Sequence, residues 1–228
     1  MRITTWNCCK GAYAEKLAQL DQLAPEVAVI QECANPGVES SSIHWTGDIS
    51  SQGLLVTVKA PFSISPIQPI EGVPKFLVPL QVFGPLAFTL LAVWAKHDHD
   101  FPYIEGVVKG VQMYRKLFQE APVVLIGDLN SSAIWDKEHS ADRNHTALVG
   151  LLDELGLVSA YHSIRGESHG KETEHTYFHH WKQAKPFHID YCFIPKQWCR
   201  GATVEIGSFD DWKDFSDHRP LTVQLSLS

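Results

Sequence analysis

The sequence predicts one α/β domain, and three observations support this. Nine strand-like segments, rich in β-branched and aromatic residues, alternate with three amphipathic helix candidates. The composition stays even along all 228 residues, with no linker, internal repeat or low-complexity tract. A chain of this length can bury one large core or two small ones, and the even composition favours a single domain over residues 1–228.

The predicted strands are runs of β-branched, aliphatic and aromatic residues bounded by turn residues. The first begins close to the amino terminus. Because strands alternate with helical segments, we expect sheets that are covered by helices. The nine segments are 2–7, 27–31, 53–58, 76–82, 86–95, 122–127, 187–194, 203–207 and 219–226.

Three segments carry apolar residues at helical spacing, which predicts helices with one buried face. They are 14–23, 104–120 and 145–155. Gly156 follows the third segment at the position where a glycine often ends a helix. Two longer stretches, 33–52 and 162–186, show neither pattern, and we expect them to be irregular.

The charge of the chain limits its function. The formal net charge is −7, with 44% hydrophobic and 20% charged residues. This composition is typical of a globular protein, and it disfavours one that wraps nucleic acid with clustered lysine and arginine. A nucleic-acid enzyme is still compatible with this charge, because bound divalent cations offset carboxylates that are gathered in one site.

The amino terminus and the cysteines predict a cytoplasmic protein. The first residues enter a strand pattern without a basic stretch and a long apolar segment, so we expect no export signal. The longest apolar run, 85–95, is shorter than the roughly 20 residues that cross a bilayer. The five cysteines are an odd number and form no Cys-x-x-Cys pair, which favours a reducing compartment.

Polar side chains recur where the predicted strands end or begin. Each of them alone is typical of a turn residue, a helix N-cap or a solvated histidine. Asp190, however, interrupts an apolar strand, and Glu32 is a poor strand residue, so both need partners. Together the positions predict one shared rim. They are Asn7, Glu32, His97, Asp128, Asn130, Asp190, Asp217 and His218.

The motifs that contain seven of these eight residues, all except His97, resemble the endonuclease/exonuclease/phosphatase superfamily. That superfamily includes deoxyribonuclease I, apurinic endonucleases related to exonuclease III, sphingomyelinases and inositol polyphosphate 5-phosphatases. The resemblance covers residues 2 to about 225 and implies a four-layered α/β sandwich, with two mainly antiparallel β-sheets packed face to face and helices outside. The motifs, in chain order, are "TWN", "IQE", "GDLN", "HIDY" and "SDHRPL".

The residue types predict a divalent metal. A phosphodiester is anionic, so its hydrolysis needs cations near the phosphoryl oxygens and an activated water. Carboxylate and amide oxygens favour Mg²⁺ or Mn²⁺, and we expect Glu32 to be the main ligand, with Asn7 and Asp217 contributing directly or through water. No His/Cys spacing typical of zinc is apparent, which disfavours zinc.

The resemblance implies catalytic roles for five residues. Asp128, oriented by Asn130, would bind and deprotonate the attacking water or hold a second metal. His218 would contact the phosphate, while Asp190 accepts its other ring hydrogen. His97 would donate to the phosphate or to the leaving oxygen. Whether Asp128 or the Asp190–His218 pair is the base stays open, as does the number of metals.

The segment 162–186 is the predicted substrate surface. Trp181 and Lys182 offer stacking and a positive charge, the combination that single-strand binders use. Tyr177 and Phe178 fit a core strand at least as well as a binding surface. His188 stands where several apurinic endonucleases carry an arginine, which predicts an altered phosphate or DNA contact there.

These observations predict a metal-dependent phosphodiesterase that acts on DNA or RNA as an endo- or exonuclease. A phosphomonoesterase or an inositol or lipid phosphate phosphatase is the alternative, although the basic signature of the inositol enzymes is not recognisable. A catalytically silent binding module is disfavoured because every central motif position holds a functional residue. No feature indicates a membrane or an obligate protein partner.

Overall fold

In residues 1–97 and 102–226, which the computed structural model describes, fourteen strands form two six-stranded sheets and one two-stranded ribbon. The ribbon joins β10 (Tyr177–Phe178) to β11 (Pro186–Phe187). Both large sheets are mixed, and in each of them one pair of neighbouring strands is parallel and the others are antiparallel. The expectation of two mainly antiparallel sheets is therefore confirmed.

The first sheet contains both ends of the described chain. Its strand order is β13-β14-β1-β2-β4-β3, and β1 and β2 are its parallel pair. The strands are β1 (Arg2–Asn7), β2 (Val27–Cys33), β3 (Ile43–Ile49), β4 (Gln52–Val58), β13 (Thr203–Ile206) and β14 (Leu221–Gln224).

The second sheet comes from the middle of the chain. Its order is β5-β6-β7-β8-β12-β9, and β7 and β8 are its parallel pair. The strands are β5 (Ser63–Pro66), β6 (Leu77–Phe83), β7 (Phe88–Trp94), β8 (Val123–Asp128), β9 (Leu157–Ser159) and β12 (Asp190–Pro195).

Helices cover the outer faces of the two sheets. None of the helices within residues 1–97 and 102–226 has the length and apolarity that a bilayer crossing requires. The α-helices are α1 (Tyr13–Asp21), α2 (Ile104–Met113), α3 (Leu117–Glu120), α4 (His145–Glu154), α5 (Ala160–Arg165) and α6 (Phe209–Trp212), and 3₁₀ helices span Ala133–Glu138, His179–Trp181 and Lys196–Cys199.

Three apolar clusters define four layers. The largest lies between the sheets and includes Ile3, Leu90 and Ile126. A second packs α2 and α4 on the outer face of the second sheet, and a third packs α1 on the outer face of the first. At about 25 cal/mol for each Å² of buried apolar surface, these faces are the main stabilising contribution. The expected four-layered sandwich is confirmed.

Two predictions of secondary structure are wrong, one for a helix and one for a stretch that was expected to be irregular. The helix expected over 104–120 breaks after Met113, where Tyr114 turns into the outer core and is 1% exposed. The apolar periodicity continues through the turn into α3, which hides the break in the sequence. The stretch 33–52 contains β3, an edge strand without a fully buried face, so it lacks the apolar alternation that predicts a strand.

Gly127 explains how the last residue of β8 reaches its place. Its φ is +151°, and a Cβ at this position would lie 1.9 Å from the carbonyl oxygen of Val93 on the neighbouring β7. Only glycine permits this approach of the two backbones. The glycine of "GDLN" thereby sets the position of Asp128 relative to β7.

Candidate active site

Three of the predicted site residues meet at one buried point of the rim. Asp128 ends β8 and Asp190 begins β12, and the two are partners in the antiparallel ladder. His218, just before β14, comes from the other sheet, and its Nδ1 lies 2.9 Å from Oδ2 of Asp190. The two aspartates are fully buried and His218 is 5% exposed. The site therefore spans both sheets.

Asn7, the last residue of β1, connects the two sheets. Its Nδ2 donates to Oδ2 of Asp128 at 3.0 Å and to Oε1 of Glu32 at 3.2 Å. Glu32 lies on a bulge of β2 with φ +60°, and Gln52 donates to its Oε2 at 2.8 Å. A non-glycine residue in this conformation carries backbone strain of the kind that is common at functional sites.

The residues after β8 fold back on the carboxylate of Asp128. Asn130 donates to it twice, from its backbone N–H at 2.8 Å and from Nδ2 at 3.1 Å, and its φ is +45°. Nδ2 also reaches the carbonyl oxygen of Ala95 at 2.8 Å. Leu129, between them, is fully buried in the outer core. The left-handed turn, rather than extended strand geometry, places Asp128 and Asn130 on one side.

Burial and neighbouring charges shift the pKa values in this group. Burial, and then the charge of Asp190, raise the pKa of Asp128 to about 7. Burial lowers the pKa of His218, but the charge and hydrogen bond of Asp190 outweigh it and raise the pKa to about 9. Near neutral pH the site therefore holds an imidazolium–carboxylate pair beside a carboxyl group that exchanges its proton readily.

Asp217 shares its space with two residues to which the sequence analysis gave no catalytic role. Burial, and then the charges of Asp217 and Glu32, raise the pKa of the Cys9 thiol to about 11. Burial, followed by the charges of Asp217 and Asp128, raises the pKa of Tyr177 to about 12. Both side chains therefore face the same group of carboxylates.

The segment before β14 is held by two side chains that sequence reasoning missed. Ser216 donates from Oγ to the carbonyl oxygen of Asn7 at 2.7 Å and accepts from the N–H of His218 at 2.9 Å. Arg219 is fully buried and donates to the carbonyl oxygens of Ser216 and His218. Both residues belong to "SDHRPL", so the motif was visible, but their positioning role depends on contacts across the fold.

Two predicted residues lie apart from this group. His97 is exposed beyond the end of β7, and among the described residues its ring contacts Tyr103 and no member of the group. His188 is 2% exposed, with Nδ1 3.0 Å from the carbonyl oxygen of Glu174 and its ring against Tyr161. The predicted substrate contact of His188 stays a prediction, and its ring offers almost no exposed surface.

The ribbon of β10 and β11 stands next to His218. Tyr177 forms a β-bridge with His218, and the two ring centroids are 4.6 Å apart. Phe178 is buried, so the expectation that this strand packs on the core is correct for that residue. The turn of the ribbon carries Trp181, which is 48% exposed, and the exposed Lys182. The predicted binding residues thus lie on a projection beside the group.

The donor atoms of the rim fit a hard divalent cation. Carboxylate oxygens of Asp128 and Asp190 converge within 4.8 Å of each other beside the imidazole of His218. Oδ1 of Asp190 is buried and has no hydrogen-bond partner among the described residues, and Glu32, which is half-buried, accepts hydrogen bonds from the side-chain amides of Asn7 and Gln52. A buried carboxylate oxygen without a partner requires a cation or a proton.

Comparison of sequences alone finds no protein-family profile and no curated protein that matches the chain. Comparison of structures finds the 3′–5′ exonuclease NExo from Neisseria meningitidis, at 18% identity and TM-score 0.70, over 99% of this chain and 100% of that chain. The 3′ phosphatase NExo bound to a product DNA hairpin is similar at 16% identity and TM-score 0.67, over 99% of each chain.

The catalytic domain of APE2 from Xenopus laevis is similar at 13% identity and TM-score 0.69, over 99% of this chain and 91% of that chain. These structures share the whole fold with the present chain and little of its sequence. The agreement extends over both sheets, since nearly every residue of the chain is covered. The chain therefore has the same fold as these solved structures, and this fold is the four-layered sandwich that the sequence analysis expected.

Proposed function

We propose that this protein is a divalent-metal-dependent phosphodiesterase that hydrolyses DNA or RNA, with residues 1–228 acting as one cytoplasmic catalytic domain. The observation that carries the proposal is the convergence of Asp128, Asp190 and His218 with Asn7 and Glu32 at one rim of the sandwich. The fold that it shares with an exonuclease and a DNA-bound phosphatase supports a nucleic-acid substrate.

The rim needs a cation before it can accept a phosphate. Glu32, Asp128, Asp190 and Asp217 all carry or exchange negative charge there, and His218 compensates only part of it. Glu32, with Asn7 and Asp217, would hold Mg²⁺ or Mn²⁺, since all three offer oxygen ligands. The bound cation would neutralise phosphoryl oxygens and lower the pKa of water.

Asp128 is placed to handle the proton of the attacking water. Its carboxylate is fixed by three N–H donors from Asn7 and Asn130, so its orientation is set before substrate arrives. A pKa of about 7 is close to the value at which a general base works best near neutral pH. The side chain can therefore bind a water, accept its proton and release that proton to solvent.

The Asp190–His218 pair is placed to bind the phosphate. Asp190 accepts the hydrogen bond from Nδ1, which fixes the ring and leaves Nε2 to donate outward. The raised pKa keeps the ring charged near neutral pH, so it attracts the phosphoryl oxygens and stabilises charge in the transition state. This assignment makes Asp128 the base and His218 the electrostatic partner.

The ribbon beside His218 supplies the proposed binding surface. Trp181 presents a half-exposed indole for stacking on a base, and Lys182 follows with a positive charge. His97, exposed after β7 on the second sheet, would donate to the leaving oxygen once a substrate occupies the rim.

The second candidate is the removal of a terminal phosphate from a nucleic acid. The structural similarity to a 3′ phosphatase with a product DNA hairpin favours it. The same residues would act on a monoester, because in both reactions water attacks phosphorus and a sugar oxygen leaves, and the monoester differs in lacking the second ester group on that phosphorus.

The test is incubation of the purified full chain with labelled single-stranded DNA, duplex DNA, RNA and 3′-phosphorylated DNA, each with Mg²⁺, Mn²⁺ or EDTA. We expect cleavage or phosphate release that requires metal and is absent in the matched variant Asp190→Asn. Intact substrates with every metal would exclude both candidates. Phosphate release without strand cleavage would select the second.

A further inference from the structure

A second polar cluster lies on the outer face of the second sheet, away from the rim. It combines His162 of α5 with His169 and Glu172 of the following loop. One ligand atom from each of these residues lies within 4.8 Å of the other two. The rings of His162 and His169 are stacked, with centroids 3.5 Å apart, and Phe193 of β12 lies beneath His169.

The cluster is already arranged around one point. Nε2 of His162 and Oε1 of Glu172 are 2.9 Å apart, and both side chains are less than a tenth exposed. In a tetrahedral zinc site with bonds of about 2.0–2.1 Å, neighbouring ligand atoms are roughly 3.3 Å apart. The two atoms would therefore separate by only a few tenths of an ångström to hold an ion between them.

Each of these groups also has a supporting partner. Ser159 Oγ lies 2.7 Å from Nδ1 of His162, and because a hydroxyl can accept a hydrogen bond, it can hold the Nδ1 proton when Nε2 faces a metal ion instead of donating to Glu172. The N–H of Gly170 donates to Oε1 of Glu172 at 2.8 Å. Hydrogen bonds to the far side of metal-binding imidazoles and carboxylates are the usual way in which proteins orient such ligands.

Two further histidines enclose the cluster and leave ring nitrogens without partners. Nε2 of His145 is 3.1 Å from Nδ1 of His169, and the ring centroids of His188 and His162 are 5.6 Å apart. Within the described part of the chain, Nδ1 of His145 and Nε2 of His188 have no hydrogen-bond partner, although both rings are at most 2% exposed. Buried polar atoms without partners are costly and require an explanation.

We propose that His162, His169 and Glu172 bind a Zn²⁺ ion whose fourth position is open to water, with His145 orienting His169 through the contact between Nε2 of His145 and Nδ1 of His169. Imidazole nitrogens with one carboxylate form a donor set that suits zinc, whereas the oxygen-rich rim suits Mg²⁺ or Mn²⁺. The ligand spacing, His-x₆-His-x₂-Glu, is not a familiar zinc pattern, which is why the sequence alone disfavoured zinc. The stacked rings turn apart when both nitrogens face the same ion.

The ion would hold a loop that reaches the catalytic rim. The loop that carries His169 and Glu172 continues to Thr176, whose Oγ1 accepts the N–H groups of Ile189 and Asp190. After Thr176 the chain enters the ribbon beside His218. Zinc would therefore fix both the backbone of Asp190 and the base of the ribbon. This proposal does not depend on the proposed function, because it concerns metal binding alone.

The test measures zinc binding by the full chain after removal of metals, by competition with a coloured chelator and by the visible spectrum of the Co²⁺ form. We expect one tight zinc equivalent and a spectrum typical of tetrahedral cobalt. His169→Ala and Glu172→Gln should each weaken zinc binding by at least about 100-fold. The matched variants Glu32→Gln, at the rim, and His180→Ala, in the exposed turn of the ribbon, should bind zinc as the unmodified chain does.

Three results would overturn the proposal. They are absence of a tight zinc equivalent, loss of that equivalent in Glu32→Gln, and its retention in both His169→Ala and Glu172→Gln. If the cluster variants fail to fold, nitrogen-detected NMR of the unmodified chain decides instead. Addition of one zinc equivalent should shift the ring resonances of His162 and His169, and unchanged resonances would show a cluster held by hydrogen bonds alone.

Discussion

The rim and the histidine cluster are built around the same contact and differ in everything that surrounds it. Each contains a buried imidazole 2.9 Å from a carboxylate, formed by His218 with Asp190 in the rim and by His162 with Glu172 in the cluster. The rim adds more carboxylates to its pair, whereas the cluster adds more imidazoles.

The surroundings set opposite charge states for the histidines. In the rim, burial opposes the charged form of His218, but the neighbouring aspartates raise its pKa to about 9. In the cluster, burial and then the neighbouring His162 lower the pKa of His169 to about 3, and burial lowers that of His145 to about 4. The first environment favours the imidazolium form of His218, and the second favours the neutral forms of His169 and His145.

The two charge states suit the two regions to different ligands. A charged imidazole beside several carboxylates can bind phosphate once a cation is present, and it cannot itself bind a metal. Neutral imidazoles bind metal and have little attraction for phosphate. Because the two regions consist of different residues, each can be altered without the other. We expect rim variants to change activity and cluster variants to change zinc binding.

The largest effect is expected from the charged pair of the rim. His218→Ala removes the imidazolium that binds phosphate, and we expect kcat to fall by about 10²–10⁴-fold in nuclease assays with Mg²⁺. The control is His44→Ala, which removes a half-buried histidine outside both regions. Near-normal kcat in the His218 variant would show that the "SDHRPL" motif has a different role in this chain.

The metal dependence of the rim should change next. Glu32→Ala removes the proposed main ligand, so the Mg²⁺ concentration for half-maximal activity should rise by about 10–100-fold. Titration of activity with MgCl₂ measures this shift. Glu205→Ala, which removes an exposed carboxylate of β13, is the matched control and should leave the titration unchanged. Equal Mg²⁺ titrations for the Glu32 and Glu205 variants would show that Glu32 is not the main metal ligand.

A smaller effect is expected where the substrate would lie. Trp181→Ala should raise KM for single-stranded substrate about tenfold, from the loss of about 1–3 kcal/mol of stacking. Phe83→Ala is a close control, because Phe83 and Trp181 are equally exposed, at 48%. An unchanged KM in the Trp181 variant would make this indole part of the solvated surface.

The rim was readable from the sequence because its residues belong to strand ends. The end of an apolar run indicates where a strand ends, and Asp128 follows the last isoleucine of β8 by only two positions. The four-layered sandwich was expected from the family resemblance of these motifs. The same resemblance implied the pairing of Asp190 with His218, which the structure contains.

The histidine cluster was not readable, because its three members and the two histidines that enclose it come from two helices and two loops without regular spacing. His188 shows the problem most directly. It lies two residues before Asp190, yet β12 begins only at Asp190, so strand alternation does not apply and the ring turns towards Tyr161. The edge strand β3 was not predicted for a related reason, because its pairing with β4 requires no apolar pattern in its sequence.

The smallest expected effect is on the stability of the folded state, and it tests whether the buried carboxylate of Asp128 destabilises that state. The pKa of Asp128 is raised from 3.8 to about 7 by folding, so the carboxyl group costs nothing below pH 3.8 and destabilises the folded state progressively as pH rises towards 7. Asp128→Asn removes this cost and keeps one acceptor for Asn7 or Asn130. In EDTA, its Tm should equal that of the unmodified chain near pH 4 and should exceed it by a margin that grows as the pH rises to 8. A Tm difference that does not change between pH 4 and pH 8 would show that Asp128 is ionised without penalty, and its role as a base tuned by burial would then be wrong.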